Sequence, residues 1–140
     1  MEIADVRKRV HATIERAKQR AAERRARGDE AARAYSTFLE TIAVPMFRQI
    51  GNVLRAEGYP FGVFTPSGSV RLMSDRAAED FIELTLDTTG GGAPLVIGHT
   101  SRRRGRRVTE NERAIGEPAA LTEVDVLDFL ATELEAFVER

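Results

Sequence analysis

The chain has 140 residues, of which 31% are charged and 42% hydrophobic, and its formal net charge at pH 7 is −1. This length suits one domain of ordinary size, and the composition is too apolar for global disorder. No run approaches the roughly 18 apolar residues of a membrane span, and residues 1–10 lack the apolar centre of a secretory signal. The chain has no cysteine, which excludes disulfides, thiolate zinc sites and thiol nucleophiles. We therefore expect a cytoplasmic protein with no membrane partner.

The charges are unevenly distributed along the chain. Residues 1–34 hold ten basic and six acidic groups, residues 101–116 hold six basic and two acidic groups, and residues 117–140 hold one basic and seven acidic groups. The near-neutral total thus combines a basic start, a basic turn and an acidic end. Only Lys8 and Lys18 are lysines, so arginine dominates everywhere, and this weakens any inference from a single arginine cluster.

The N-terminal segment has the spacing of one helical face. Apolar residues recur at three- and four-residue steps, namely Ile3, Val6, Val10, Ile14, Ala17 and Ala21. The pattern predicts a long helix with a narrow apolar seam, bent near Gly28, where the glycine and Asp29 are typical of a helix end followed by a new start. We interpret residues 1–34 as a polar, arginine-rich helix or arm, and residues 35–140 as a single α+β domain.

A second helical face follows, with apolar residues at positions 35, 39, 42, 46, 50 and 53. The series stays in phase across Pro45, which favours a helix bent at the proline over a loop. Beyond Pro60 the period changes to two, the spacing of half-buried strands. The segments 61–65, 69–73, 81–88, 94–101 and 106–111 predict an antiparallel meander of four or five strands. Between the first two strands, Pro66 suits the second position of a turn and Gly68 the following left-handed position.

The C-terminal segment predicts a helix that packs on the sheet. Thr122 is a suitable N-cap, followed by acidic residues in the first turn. The predicted core face of this helix consists of Leu127, Leu130, Ala131, Leu134, Phe137 and Val138. The predicted fold class is therefore α+β, with a long N-terminal helical segment, an antiparallel sheet and a closing helix.

A run of arginines is the strongest polar feature, consisting of Arg102, Arg103, Arg104, Arg106 and Arg107 around Gly105. Three residues followed by a glycine predict a turn, so these side chains would project from a hairpin tip. Arginine is suited to bidentate phosphate recognition, but no aromatic residue nearby would stack a base. We favour a solvated tip or a protein contact, and keep nucleic acid or another polyanion as the alternative partner.

The sequence carries no catalytic or metal-ligand signature. His11 and His99 are the only histidines, no serine lies in a G-x-S-x-G elbow, and the glycines at 90–92 precede a strand rather than a phosphate-binding helix. Asp80 and Asp87 differ by an odd step and should face opposite sides of a strand. We predict no catalytic residue, metal or cofactor. A small enzyme or ligand-binding domain with an unrecognised carboxylate-based site is the third hypothesis.

The leading hypothesis is a non-enzymatic interaction or regulatory module that self-associates through its N-terminal helix. A helix over residues 1–28 extends roughly 40 Å, which is longer than a domain of this size needs. Its seam of Ile3, Val6, Val10 and Ile14 is apolar enough to seek a partner and too narrow to be surrounded by core. A dimer is the favoured assembly. The alternatives are a frayed, solvated arm or a helix folded back along its own domain.

Overall fold

The computed structural model describes residues 1–90 and 92–139 and has the predicted α+β fold. Helix α1 (Ile3–Phe38) leads through a π-helical turn (Leu39–Ala43) into α2 (Val44–Ala56). Five strands follow, and a final helix ends the fold: β1 (Phe61–Phe64), β2 (Val70–Ser74), β3 (Phe81–Asp87), β4 (Leu95–Arg104), β5 (Arg107–Gly116) and α3 (Glu123–Val138). The strands form one antiparallel meander in sequence order, β1 to β5, as predicted.

Helix α1 continues through Gly28 and Asp29, so the helix end that these two residues suggested does not form. One glycine inside a helix costs only about 1 kcal/mol, and the flanking residues are strong helix formers. Nothing lies within 4 Å of where a side chain at Gly28 would be, so no neighbouring element forces the helix to end there. The core-facing part of α1 and its N-terminal part therefore belong to one continuous helix.

The helix also continues past Pro45 instead of forming a loop, as the in-phase apolar series predicted. The π-helical turn makes this possible. Proline has no N–H to donate, and its ring would crowd the carbonyl of Thr41 in a regular helix. In the preceding turn the N–H of Val44 donates to the carbonyl of Leu39, five residues back. This wider turn accommodates the ring while keeping both helical segments in contact with the core.

All three helices pack on one face of the sheet, here called the inner face. Strand alternation places Leu72, Leu84 and Val96 on this face, where they are fully buried. The hydroxyl of Tyr35 in α1 reaches the carbonyl of Leu84, and Phe137 in α3 packs edge-on against Phe61 of β1. The core thus lies between the inner face and a single layer of helices.

Two glycines allow the helices to approach the sheet closely. A side chain at Gly51 in α2 would lie 3.3 Å from Val63 and 3.7 Å from Leu72. A side chain at Gly98 in the middle of β4 would overlap with the ring of Phe129 in α3. The Phe129 ring therefore occupies the space that the missing Gly98 side chain leaves. Since Phe129 is almost fully buried, this contact determines where α3 sits on the sheet.

The core face of α3 differs in part from the prediction. Thr122 is the N-cap, as predicted, and forms a capping box with Asp125. The buried residues, however, are Val126, Phe129 and Leu130, while Leu134, Phe137 and Val138 are partly buried. Leu127 and Ala131 are exposed, so assigning them to the core was wrong. The face predicted from the spacing of apolar residues is therefore not the one that packs on the sheet. The reason is the contact between Phe129 and Gly98, which fixes the rotation of the helix.

The turn between β1 and β2 also differs by one position. The N–H of Ser69 donates to the carbonyl of Pro66 at 3.0 Å, so Pro66 is the first residue of the turn rather than the second. Gly68 has a φ of 76°, the left-handed conformation that was predicted. The register pairs Phe64 with Arg71, which leaves a connection longer than a three-residue hairpin loop and allows the turn to start one residue later.

We expect Gly98→Ala to destabilise the protein by about 1 to 3 kcal/mol, the range for forcing an extra methyl group into a packed core. The Phe129 ring would have to move, and α3 would shift with it. Gly28→Ala is the control, because its added methyl meets open space in a helix and should stabilise by up to about 1 kcal/mol. Denaturant unfolding of both variants measures the difference. Equal stabilities would show that the packing of the Phe129 ring does not require the missing side chain at Gly98.

Candidate functional site

The N-terminal part of α1 leaves the domain with its apolar seam uncovered. The predicted seam residues Ile3, Val6, Val10 and Ile14 are 79%, 45%, 52% and 46% exposed, respectively. Every residue from 1 to 11 is exposed, and the first buried residue of the helix is Tyr35. The seam therefore lies on a projecting helix and makes no part of this chain's own core.

Tyr35 and Phe38 anchor the base of this helix in the core. Both are buried, and their rings lie 6.3 Å apart. The Tyr35 hydroxyl donates to the carbonyl of Gly68 at 2.7 Å and lies 3.3 Å from that of Leu84. Burial raises the pKa of Tyr35 well above its ordinary value, and the negative charge of Glu83 raises it further. The neutral hydroxyl thus links α1 to the sheet.

The run of arginines lies mostly on strands rather than in a loop. Strands β4 and β5 extend to Arg104 and from Arg107, and these two residues form the last pair of the register. Only Gly105 and Arg106 form the loop, and Gly105 has a φ of 61°, as a two-residue hairpin turn requires. The predicted tip of three residues plus glycine was therefore too long, because the strand pairing continues further than the polar sequence suggested.

Two of the five arginines are committed to contacts within the domain. Arg102 faces the helices and donates from Nη1 to the carbonyl of Ala136 at 2.8 Å, which satisfies a group at the C-terminal end of α3. Arg103 faces the other side and donates to the carbonyl of Gly105 at 2.8 Å, with a carboxylate oxygen of Glu79 at 3.3 Å. These two residues stabilise the hairpin and the last turn of α3.

The other three arginines, Arg104, Arg106 and Arg107, are exposed. Among the residues that the structure describes, none of their side chains has a carboxylate within ion-pair distance. The end of the hairpin therefore carries three solvated positive charges on adjacent positions. It has the residue type for an anion contact, without an aromatic residue beside it.

Three acidic side chains in or beside β3 each have a separate partner. Asp80 accepts from the backbone N–H of Arg103 at 2.7 Å. Glu83 pairs with Arg71 at 2.7 Å on the outer face of the sheet. Asp87 accepts from the side chain and backbone of Thr89, and these hydrogen bonds lower its pKa. The arrangement stabilises turns and strand pairs and does not bring the three carboxylates to one site.

An aromatic and charged cluster on the outer face was not anticipated from the sequence. The Arg71 guanidinium lies 4.0 Å from the centre of the Phe81 ring, and His99 packs edge-on against the same ring, 5.3 Å away. The signal was present in the sequence, because β3 begins with two consecutive apolar residues, Phe81 and Ile82, which lie on opposite faces of a strand. A strand that is apolar in this way needs cover on its outer side, and here the long side chain of Arg71 supplies it.

A cleft lies at the base of α1, with a volume of about 620 Å³. Its walls come from three segments: α1 around Arg24, Gly28 and Ala31, the loop after β3 at Gly90, Gly92 and Pro94, and the connection before α3 at Glu117, Pro118 and Ala119. The cleft is open and lined mainly by small side chains. In the described residues no three His, Asp or Glu side chains are grouped to hold a metal ion, and none of the described helices has the length and apolar character needed to cross a membrane.

Comparison of the chain with protein-family models, curated proteins and solved structures gives no match. Two surfaces stand out: the uncovered seam of α1 and the three solvated arginines at the end of the β4–β5 hairpin.

The anchoring of α1 by Tyr35 should make stability sensitive to alkaline pH. Because the folded protein raises the pKa of Tyr35, this stabilisation is complete below the ordinary value of 10.0 and decreases as the pH rises above it. Tyr35→Phe should lower stability at pH 8 by about 1 kcal/mol through the lost hydrogen bond. The unfolding free energy of the variant should also decrease less steeply than that of the wild type between about pH 9 and 11. Urea unfolding at several pH values tests this, and equal slopes for both proteins would contradict it.

Proposed function

We propose that the chain is a non-enzymatic interaction or regulatory module that self-associates through the seam of α1, with a dimer as the favoured assembly. The observation that carries this proposal is the exposure of Ile3, Val6, Val10 and Ile14 on a helix whose base is anchored at Tyr35 and Phe38. In a solvated arm, four large apolar side chains on one face of the helix would stay in contact with water and contribute no stability.

Energetic considerations support the proposal. An isolated helix of this kind is marginal in water, because most helical stability in proteins comes from packing. Fully burying one Val or Ile side chain contributes about 1.5 to 3 kcal/mol, so four such residues in each of two copies provide a substantial driving force. The continuous helix also holds the seam in a fixed orientation, which reduces the entropic cost of ordering it on binding.

The exposed seam also argues against the alternative of a helix folded back on its own domain. Helix α1 has no break at Gly28, and the inner face of the sheet is already covered by α2, α3 and the C-terminal end of α1. These two observations favour a partner from outside the chain. The proposal includes a cytoplasmic location, which the lack of cysteine favours.

Charges placed in the seam should prevent self-association. We expect the full chain to elute as a dimer at tens of micromolar in size exclusion with light scattering, and Val10→Glu with Ile14→Glu to give a monomer. Glutamate is a good helix former, so the helix should persist and only the apolar contact should be lost. Ala4→Glu with Ala22→Glu is the matched control off the seam and should remain dimeric. A monomeric wild-type chain would overturn the proposal.

A second candidate function is polyanion or nucleic-acid binding at the end of the β4–β5 hairpin. The observation in its favour is that the five arginines fall into an engaged pair and an exposed group of three. Arg102 and Arg103 are engaged within the domain, whereas Arg104, Arg106 and Arg107 have no ion-pair partner among the described residues. Free guanidinium groups at adjacent positions suit bidentate phosphate contacts.

The polyanion function predicts retention on random-sequence nucleic acid that decreases steeply with salt, because phosphate contacts release counterions. Arg104→Glu, Arg106→Glu and Arg107→Glu together should abolish this retention and leave the melting temperature nearly unchanged, since the three side chains are exposed. Arg48→Glu with Arg76→Glu is the control, because both arginines are exposed and lie outside the hairpin. A wild-type protein without salt-sensitive retention would exclude this function.

A further inference from the structure

We infer that the surface which receives the α1 seam is helix α3 of a second copy of this chain, at an exposed apolar stripe bordered by acidic residues. The inference depends on the proposed self-association and specifies which two surfaces meet. The charges on either side of the seam and the exposed side of α3 together distinguish an α1–α3 contact from an α1–α1 contact.

The seam of α1 is bordered by positive charge on both sides. At about 100° per residue, Arg7, Lys18 and Arg25 lie along one border, and Arg9, Arg20 and Arg27 lie along the other. The acidic residues of this part of the helix, Asp5, Glu15 and Glu23, lie toward the opposite side. Of the border residues, Lys18 has an ion pair, a long and exposed one of 3.9 Å with Glu15. The seam is thus an apolar strip in a basic surface.

Helix α3 carries an apolar stripe that its own domain does not cover. Val124 is 62% exposed and Leu127 44% exposed, and Ala131, one turn further along, is exposed as well. These three residues, the α3 stripe, lie together on one side of the helix. The seating of Phe129 over Gly98 turns this side away from the core. An apolar stripe beside the core of the domain is therefore left in contact with water.

The border of the α3 stripe is acidic. At the same helical spacing, Asp128 and Glu135 lie next to the stripe on its solvent side. Both are exposed, and among the described residues neither carboxylate has a basic side chain at ion-pair distance. Glu133 on the core side is different, because Arg113 and Thr100 contact its carboxylate. The outer side of α3 is thus an apolar strip in an acidic surface.

These two surfaces complement each other in both apolar character and charge. Two α1 seams packed together would bring basic borders against basic borders, which is unfavourable at low ionic strength. An α1 seam on an α3 stripe buries apolar residues from both sides and brings Arg9 or Arg20 near Asp128 and Glu135. The α3 of the same chain is not available to the seam, because α1 runs unbroken from the seam to its anchor at Tyr35.

In a dimer with twofold symmetry the contact would occur twice, with α1 of each copy on α3 of the other. Such an assembly is closed and adds no further copies. The charges then give the contact a definite salt dependence. Ion pairs between exposed groups weaken as salt screens them, so α1–α3 association should weaken with salt. Association of two basic seams should instead strengthen, because salt screens their repulsion.

The test is a charge exchange measured by sedimentation equilibrium of the full chain. We expect Arg9→Glu with Arg20→Glu, and separately Asp128→Lys with Glu135→Lys, to raise the dimer Kd by about tenfold each, since every exposed ion pair contributes modestly and the contact occurs twice. The protein with all four substitutions should return to within about threefold of the wild-type Kd. Glu40→Lys with Glu57→Lys is the control, the same charge change at exposed positions outside α3.

The possible results separate this inference from the proposed function. A wild-type chain that stays monomeric overturns self-association altogether. A dimer whose Kd is unchanged by the two α3 substitutions, or that tightens between about 0.05 and 0.5 M salt, overturns the α1–α3 contact and leaves self-association standing. Recovery of dimerisation in the fourfold variant supports the contact and shows in the same measurement that the substituted chains are folded.

Discussion

The seating of the Phe129 ring over Gly98 is the contact on which the arrangement of this fold depends. It brings α3 close to β4, where Arg113 lies over the same ring, 4.9 Å from its centre. The rotation of α3 follows from it, because one face is committed to the Phe129 contact. The side with Val124 and Leu127 then faces solvent, although it too carries apolar residues.

The same layer of helices explains why α1 projects from the domain. The inner face of the sheet is covered by the C-terminal end of α1, the π-helical turn, α2 and α3. Since the helix is continuous from Ile3 to Phe38, its N-terminal part has no second position on that face. A seam of four apolar residues is therefore displayed to water at the end of a rigid element. This is the physical basis of the proposed self-association.

In the part of the chain that the structure describes, some charged side chains stabilise the fold and others have no ion-pair partner. Arg71, Arg102, Arg103 and Arg113 cover rings, pair with carboxylates or bond to the end of α3. Among the described residues, the acidic border of the α3 stripe, the end of the β4–β5 hairpin and, apart from Lys18, the basic borders of the α1 seam have no ion pair. The chain has a net charge near zero and keeps these opposite charges on separate surfaces, which suits the proposed interactions between copies.

The sequence by itself determined the elements and their order. The change of period from 3.6 to 2 at Pro60, the turn glycines and the cap at Thr122 depend on local physics. The helices, an antiparallel meander of four or five strands and the seam were therefore predictable. The tertiary structure decided three further matters. It decided that α1 runs unbroken through Gly28, since one glycine costs too little to end a helix that nothing else interrupts. It decided that Arg102 and Arg103 stabilise the hairpin and α3, because β4 and β5 pair further along the chain than the polar sequence suggested. And it decided which side of α3 is core, because Phe129 fits only where Gly98 leaves room, a complementarity between distant residues that no local pattern contains.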